Sequence, residues 1–263
     1  MPIRPNACGT PALACSASAP ACVDYRQNQF QPKEHIVSVG FRIFERQRKV
    51  ADEVVQKFSV IPVANISDSM SRMSAAGTRL RPMHRGARLA GPAITVKSRP
   101  GDNLMVHKAL DMAQPGDIVV VDAGGDLSNA IIGELMVALA IQRKLGGIVI
   151  NGAVRDLDAI QSGDFPIFAA GVTHRGPYKD GPGEINVPVA IDGMVIRPGD
   201  LMVGDSDGLL CVAFEDLDSV YTAAKAKNDA EAAQMAAIAA GTSDRSWVEK
   251  SLQKLNCEYV GTR

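Results

Sequence analysis

Aromatic residues are scarce in this 263-residue chain: they make up 5% of it, and only one is tryptophan. A platform for stacking nucleobases needs several such rings, so none is expected. A basic excess is missing too. Lys and Arg number 28 against 29 Asp and Glu, a formal charge of −1, which argues against a dedicated nucleic-acid binder. No apolar run approaches the roughly 18 residues of a membrane span. The four histidines, His35, His84, His107 and His174, stand far apart, with no HExxH or HxH pair to found a zinc site. Of the five cysteines, Cys8, Cys15 and Cys22 lie seven apart near the start, while Cys211 and Cys257 stand alone. There is no CxxC, and an odd, scattered set suits a reducing compartment; a cytoplasmic protein is expected. What is present is ordinary globular composition, 46% hydrophobic and 22% charged, enough to bury a core without disulfides.

Residues 1 to about 38 are rich in Ala, Pro, Ser and Cys and show no period. They read as a poorly ordered extension. Ser16, Ser18 and Pro20 break the run from Ala12 to Cys22, which makes it a poor signal-peptide core. Residues 39–263 read as one domain. Apolar spacing predicts an amphipathic helix over 42–58, ended by Pro62, and Asn65 to Asp68 offer caps for a short helix through Met73. Strands are expected between Leu80 and Lys97, with turns at Gly86 and at Gly91-Pro92. A helix is expected over 102–113.

Three Pro-Gly-Asp triplets occur, at 100–102, 115–117 and 198–200. Proline presets the first central position of a turn and glycine supplies positive φ at the second. Two of these turns feed the strands 118–121 and 201–203. The first strand, Ile-Val-Val-Val, is apolar throughout and should be buried on both faces. A helix over 133–145 with Leu135, Met136, Leu139 and Ile141 as its apolar positions, capped by Gly146-Gly147, precedes a buried strand at 148–150. Gly152 to Val154 reads as a tight turn before a helix from Arg155 to Gln161. Strand-like segments follow at 165–168 and 185–191. A hairpin closes at 209–212, and a long Ala-rich helix covers 217–240. Alternating strands and helices with local pairing near the end give a mixed α/β class.

Gly204-Asp205-Ser206-Asp207-Gly208 fits the GxSxG pattern in letters. A nucleophile elbow needs strand, sharp turn and helix, and here both flanks are strand-like, so a hairpin turn is the better reading. The turn also lacks the later ligands of a calcium loop. Gly124-Gly125-Asp126 has neither GxGxxG nor a GK[ST] lysine, so it is not a nucleotide loop. More is carried by Gly133-Glu134, then twenty residues, then Arg155-Asp156. If the strands before them are neighbours, their carboxyl ends meet where open α/β sheets place ligands. Two carboxylates suit a hydrated divalent cation. An arginine and free helix-terminal N–H groups suit a substrate carboxylate. The plainer alternative makes Glu134 a first-turn acid and Arg155-Asp156 a helix cap.

With these residues the chain resembles the RraA-like family, which includes 4-hydroxy-4-methyl-2-oxoglutarate aldolases. The likeness runs from about Val60 to Gln234. It covers Gly91 to Val96, Pro115 to Asp122, Gly133-Glu134, Gly146 to Asp156, Asn186 to Val189, Pro198 to Asp200 and Gly204 to Gly208. The resemblance implies a β/β/α sandwich of the swivelling-domain type, with N-terminal helices and a C-terminal helix. It also implies homotrimers or homohexamers with sites between subunits. Asp156 would hold Mg²⁺ or Mn²⁺, with Glu134 in the same shell. Arg155 would contact substrate oxygen, and the backbone of Gly133, Glu134, Leu135 and Met136 would bind a pyruvyl carboxylate. Glu231, from a neighbour's C-terminal helix, would complete the site. The implied activity is cleavage of a 4-hydroxy-2-oxo acid to pyruvate through a metal-stabilised enolate, with oxaloacetate decarboxylation beside it. Some relatives instead inhibit an RNA-degrading enzyme by contact, and in those the Asp of the Arg-Asp pair is replaced; here Asp156 is intact. A methyltransferase label is unsupported, for want of a glycine-rich cofactor loop. The polar loop His174 to Glu184 could lie over the site or be plain surface.

Overall fold

The computed structural model describes residues 38–74 and 76–261. The expectations for the first 37 residues, with Cys8, Cys15 and Cys22, fall outside the described residues. The fold is mixed α/β, built on one large mixed sheet. In chain order the elements are β1 (Phe41–Ile43), α1 (Asp52–Ser59), α2 (Val63–Ser69), β2 (Arg81–Pro82), β3 (Leu89–Ser98), α3 (Leu104–Met112) and β4 (Ile118–Asp122). They continue with β5 (Ala130–Ile132), α4 (Glu134–Gln142), β6 (Gly147–Val154), α5 (Leu157–Ser162), β7 (Ile167–Val172), β8 (Gly183–Ile185), β9 (Val189–Ile191) and β10 (Met194–Ile196). The last are β11 (Leu201–Asp205), β12 (Gly208–Val212), α6 (Leu217–Ala239) and α7 (Ser246–Lys254). Among the described residues no helix is long and apolar enough to cross a membrane.

The sheet runs β1-β8-β3-β4-β6-β7-β2, with β3, β4, β6 and β7 parallel. Alternation explains its two faces. Val119, Val121, Ile148 and Ile150 point to one side and pack against α3, α4 and α5. Ile118, Val120 and Val149 point to the other, against β9, β10 and the inner faces of β11 and β12. The outer faces of β11 and β12, Leu201, Val203, Leu210 and Val212, are covered by Phe58, Ile66, Leu217 and Val220 from α1, α2 and α6. All four apolar residues of β4 are fully buried, as the unbroken Ile-Val-Val-Val run requires.

The three Pro-Gly-Asp turns share one construction. The Asp N–H donates to the carbonyl three residues back, at Arg99 (3.1 Å), Gln114 (3.0 Å) and Arg197 (3.1 Å). The glycines have φ of +73°, +83° and +89°, the type II pattern. The carboxylates of Asp102, Asp117 and Asp200 are all buried, and each has an arginine partner.

Those arginines overturn the expected helix over 42–58. Arg46 grips Asp117 with both terminal nitrogens, at 2.9 and 3.0 Å. Arg48 reaches Asp200 and Glu215, and Arg42 reaches Glu184. Three arginines with carboxylate partners, Asp117 and Asp200 buried among them, hold residues 42–48 against the sheet outside any helix, and only Asp52–Ser59 is helical. Helical spacing was present without helical burial.

Other expectations shift for similar tertiary reasons. The second helix starts at Val63 rather than at the Asn65–Asp68 caps, because Asp205 reaches across to accept the Val63 N–H at 2.9 Å. Gly91-Pro92 is not a turn. β3 runs straight through it, changing partner from β11 to β4 there. Residue 91 must be glycine because a Cβ would strike the Gly116 carbonyl. Nor is Gly152–Val154 a turn; it continues β6 past an irregularity in the pairing with β7. Lys144, with φ +58°, turns the chain after α4, in place of the expected Gly146-Gly147 cap. Of the apolar positions of α4, Leu135 and Ile141 are exposed, and Met136, Val137 and Ala140 are its buried residues. Segment 185–191 is two strands split at Asn186, which has positive φ. β5, β10 and α7 have no counterpart in the sequence reading.

Asp117 is fully buried and depends on Arg46 for its countercharge. Arg46→Ala leaves that carboxylate uncompensated, and the expected loss of stability is about 3–5 kcal/mol. Urea denaturation measures it; a loss below about 1 kcal/mol would show that the pair does not anchor this segment.

Candidate active site

The site forms where β5 and β6 end together. Ile132 pairs with Val154, and the Arg155 N–H donates to the Ile132 carbonyl at 3.0 Å. Gly133-Glu134 is thereby laid beside Arg155-Asp156. The strand before α4 is β5, a short segment that the sequence reading did not separate from β4.

At this joint the Asp156 Oδ2 accepts the Glu134 N–H at 2.9 Å. An acid at a helix start normally caps its own helix. Asp156 stands at the start of α5 without a side-chain bond to it, and caps α4 instead. To do so it takes a left-handed backbone, φ 59° and ψ 42°, a conformation that Asp and Asn tolerate better than other side chains. Gly133 leaves the room. A Cβ there would overlap Asp156 Oδ2 and lie 2.9 Å from Arg155 Cγ. Its backbone is extended, so close approach and not φ demands glycine.

Arg155 is held with little bonding. Its Nε lies 3.6 Å from Asp156 Oδ2, too far for a hydrogen bond, and is buried without any partner. A Cβ on Gly176 would lie 3.1 Å from its Nη1, so two glycines flank the guanidinium.

The loop at 174–184 is fixed in place and forms a wall. Asn129 donates to the Gly176 carbonyl at 2.6 Å, and Ala130 donates to the Arg175 carbonyl at 2.8 Å. The Asp102 carboxylate takes the N–H groups of Asp180 and Gly181 at 2.7 and 2.9 Å. Pro177 and Lys179 consequently line a cavity of about 130 Å³, together with Gly133, Leu135, Met136 and Arg155. Asn103 and His107 from α3 line it too. Sequence reasoning missed both, and Lys179 as an individual residue. Asn103 directly follows a Pro-Gly-Asp triplet, which was a usable signal; His107 carried none.

Of the backbone donors expected to hold a carboxylate, Glu134's N–H is committed to Asp156 and Met136's turns back to the Gly133 carbonyl at 3.1 Å. Leu135's N–H is left without an acceptor among the described residues. The Glu134 side chain is exposed at the rim. Glu231 is not part of this cavity within one chain. It lies on α6, paired with Lys227 at 3.2 Å. Gly204 to Gly208 is the expected hairpin turn between β11 and β12. The space against Gly125 is filled by Arg79.

No group of three or more His, Cys, Asp or Glu able to hold a metal occurs among the described residues. The donors here are Asp156, half exposed, with Glu134 beside it. Such a set fits a hydrated hard cation of the Mg²⁺ kind, which keeps most of its waters, and not a metal that needs a protein cage.

Comparison with known proteins places the chain in a family. The family profile described as RraA-like, Aldolase/RraA, matches residues 63–211. A relative from Halalkalibacterium halodurans, provisionally named a 4-hydroxy-4-methyl-2-oxoglutarate aldolase, is 37% identical over 201 residues, covering 76% of this chain and 96% of its own. The 4-hydroxy-4-methyl-2-oxoglutarate aldolase of Thermus thermophilus is 35% identical over 124 residues, 47% of this chain and 75% of its own. Among solved structures, an uncharacterized Pseudomonas syringae protein superimposes with a TM-score of 0.65 at 26% identity, over 73% of this chain and 95% of its own. A Thermus RNA-processing inhibitor, RraA, gives 0.54 at 30% identity, over 57% and 92%.

Asp156→Ala removes the α4 cap and puts an ordinary residue in a left-handed backbone, at an expected cost of about 1–3 kcal/mol. Asp156→Asn keeps both the backbone tolerance and an acceptor oxygen and should cost less than about 1 kcal/mol. Chemical denaturation of both variants checks this; equal costs would contradict the cap.

Proposed function

The chain belongs to the RraA-like family, and from that premise we propose that it is a divalent-metal-dependent carbon–carbon lyase. It would cleave a 4-hydroxy-2-oxo acid of the 4-hydroxy-4-methyl-2-oxoglutarate or 4-carboxy-4-hydroxy-2-oxoadipate type to pyruvate, and decarboxylate oxaloacetate as a side activity. The observation that carries the reading is the joint of Glu134, Arg155 and Asp156: one exposed carboxylate fixed in direction, beside an arginine with an unspent N–H.

Asp156 would hold Mg²⁺ or Mn²⁺, with Glu134 reaching it through water. When bound there, the cation supplies positive charge where the keto oxygen of the 2-oxo acid becomes negative. The remaining work falls to the chain's own residues. The Leu135 N–H and the positive end of α4 hold the substrate carboxylate. The Arg155 guanidinium, set between Gly133 and Gly176, donates to the oxygen on which charge grows. Because Arg155 is positioned before substrate arrives, it stabilises that charge without reorganising, an effect of about 2.7–4 kcal/mol for a well-placed donor. Met136 and Pro177 give the cavity apolar walls. Glu231 from a neighbouring subunit would close the open side in a homotrimer or homohexamer, in the cytoplasm. The swivelling-type β/β/α sandwich is the framework this assembly implies. Likeness to an RNA-processing inhibitor makes a protein-binding role the second reading; the intact Asp156 favours catalysis.

Pyruvate release from 4-hydroxy-4-methyl-2-oxoglutarate and from oxaloacetate, with Mg²⁺ and then with EDTA, is the test. Uncatalysed metal-driven decay of oxaloacetate is subtracted. Metal-dependent release is expected from both. It should fall at least ~100-fold in Asp156→Asn and in Arg155→Ala, since each loses a group used in the transition state. Normal turnover in Asp156→Asn would remove the assignment.

A further inference from the structure

The cavity has polar lining residues that the lyase reading above leaves unused. Asn103 is the residue type best suited to cap α3 and stands at that position, yet its side chain makes no cap bond. Asp102 Oδ1 takes the Leu104 N–H instead, at 2.9 Å. The Asn103 side chain turns elsewhere. Its Nδ2 donates to the Ile131 carbonyl at 2.9 Å, which fixes the amide and leaves Oδ1, on a residue 2% exposed, without a partner. One helical turn on, His107 lies on the same face of α3, and its buried Nε2 is also unpartnered. Both residues line the cavity that Arg155 also lines, and Lys179 lies close enough for its charge to act on His107.

Two residues of one cavity carry orphaned buried groups and call for an occupant that brings a donor, because an unpaired buried polar atom costs about 1–3 kcal/mol. An amide oxygen accepts only, so the arriving group must carry a donor. A hydroxyl brings one such proton; a carboxylate or a ketone brings none. We propose that His107 is the general base that takes the proton of the substrate's 4-hydroxyl, with Asn103 Oδ1 lining the pocket for that hydroxyl. The inference rests on the lyase reading and adds the base to it.

The step balances within the substrate and the imidazole. The O–H bond breaks and its proton goes to His107 Nε2. The oxygen's electron pair forms the new C=O, the C3–C4 bond breaks, and its electrons pass to the 2-oxo group as the enolate. The enolate carbon then takes a proton from water, and His107 returns its own to solvent. A base must be neutral beforehand. Burial holds the His107 pKa below the ordinary imidazole value, the Lys179 charge lowers it further, and Asp111 on the next turn opposes them.

Decarboxylation of oxaloacetate supplies the control. It forms the same enolate by losing CO₂ and has no hydroxyl to deprotonate. His107→Gln should lower kcat for the 4-hydroxy-2-oxo acid at least ~100-fold, the usual worth of a general base. It should leave oxaloacetate decarboxylation within about threefold, which also reports an intact site. His107→Asn carries the same comparison if circular dichroism shows the Gln variant misfolded. Equal loss of both reactions, or of neither, would overturn the inference and leave the lyase reading standing. Absence of pyruvate from either substrate with the unsubstituted protein would overturn the lyase reading, and the inference with it.

Discussion

The N–H of Glu134 reaches the Asp156 carboxylate because residue 133 has no side chain. That close approach ties the start of α4 to the end of β6. It fixes one carboxylate oxygen and turns Asp156 into a left-handed backbone. It also brings Arg155 to the edge of the cavity with an unspent Nε. Charge is concentrated at a point where the α4 dipole is positive. Nothing comparable holds the GxSxG segment or the paired glycines at 124–125. The first closes a hairpin and the second is filled by Arg79.

The rest of the fold serves to keep that joint in register. Pairing of β4, β5 and β6 aligns the strand ends. Buried aspartates at three type II turns lock the outer connections: Asp117 and Asp200 tie the segment before α1 to the sheet, and Asp102 draws in the loop that carries Lys179. The cavity's four polar or charged residues thus come from three places: Asn103 and His107 from α3, Arg155 from β6's end and Lys179 from the 174–184 loop. A buried carboxylate that accepts several backbone N–H groups is costly to disturb, so the loop wall is part of the framework rather than a surface appendage.

Much of this was legible in the sequence because it rests on local rules. Pro-Gly-Asp specifies its turn through the φ preferences of two residues, and an unbroken Ile-Val-Val-Val run specifies a doubly buried strand. The pairing of Glu134 with Arg155-Asp156 across twenty residues was visible as spacing, and the joint confirms their adjacency. What was hidden depends on partners distant in the chain. Residues 42–48 have helical spacing but are held out of a helix by Asp117, Asp200, Glu184 and Glu215. Gly91 and Gly152 look like turns, while the structure uses them inside strands where neighbouring atoms come close. The sequence offers Asp156 as a ligand or as a cap of its own helix; its cap bond goes to the other helix. Asn103 and His107 carry their signal only as missing hydrogen bonds, which no sequence pattern displays.

The central claim is that the carboxylate of Asp156 is directed by the Glu134 N–H to hold a divalent cation. Titration of Mn²⁺ into the unsubstituted protein and into Asp156→Asn, followed by the electron paramagnetic resonance of free Mn²⁺, tests it without reference to turnover. One bound Mn²⁺ per chain is expected, with affinity reduced at least tenfold in the variant, because an amide lacks the charge a hard cation requires. Equal binding by the two proteins would contradict the account.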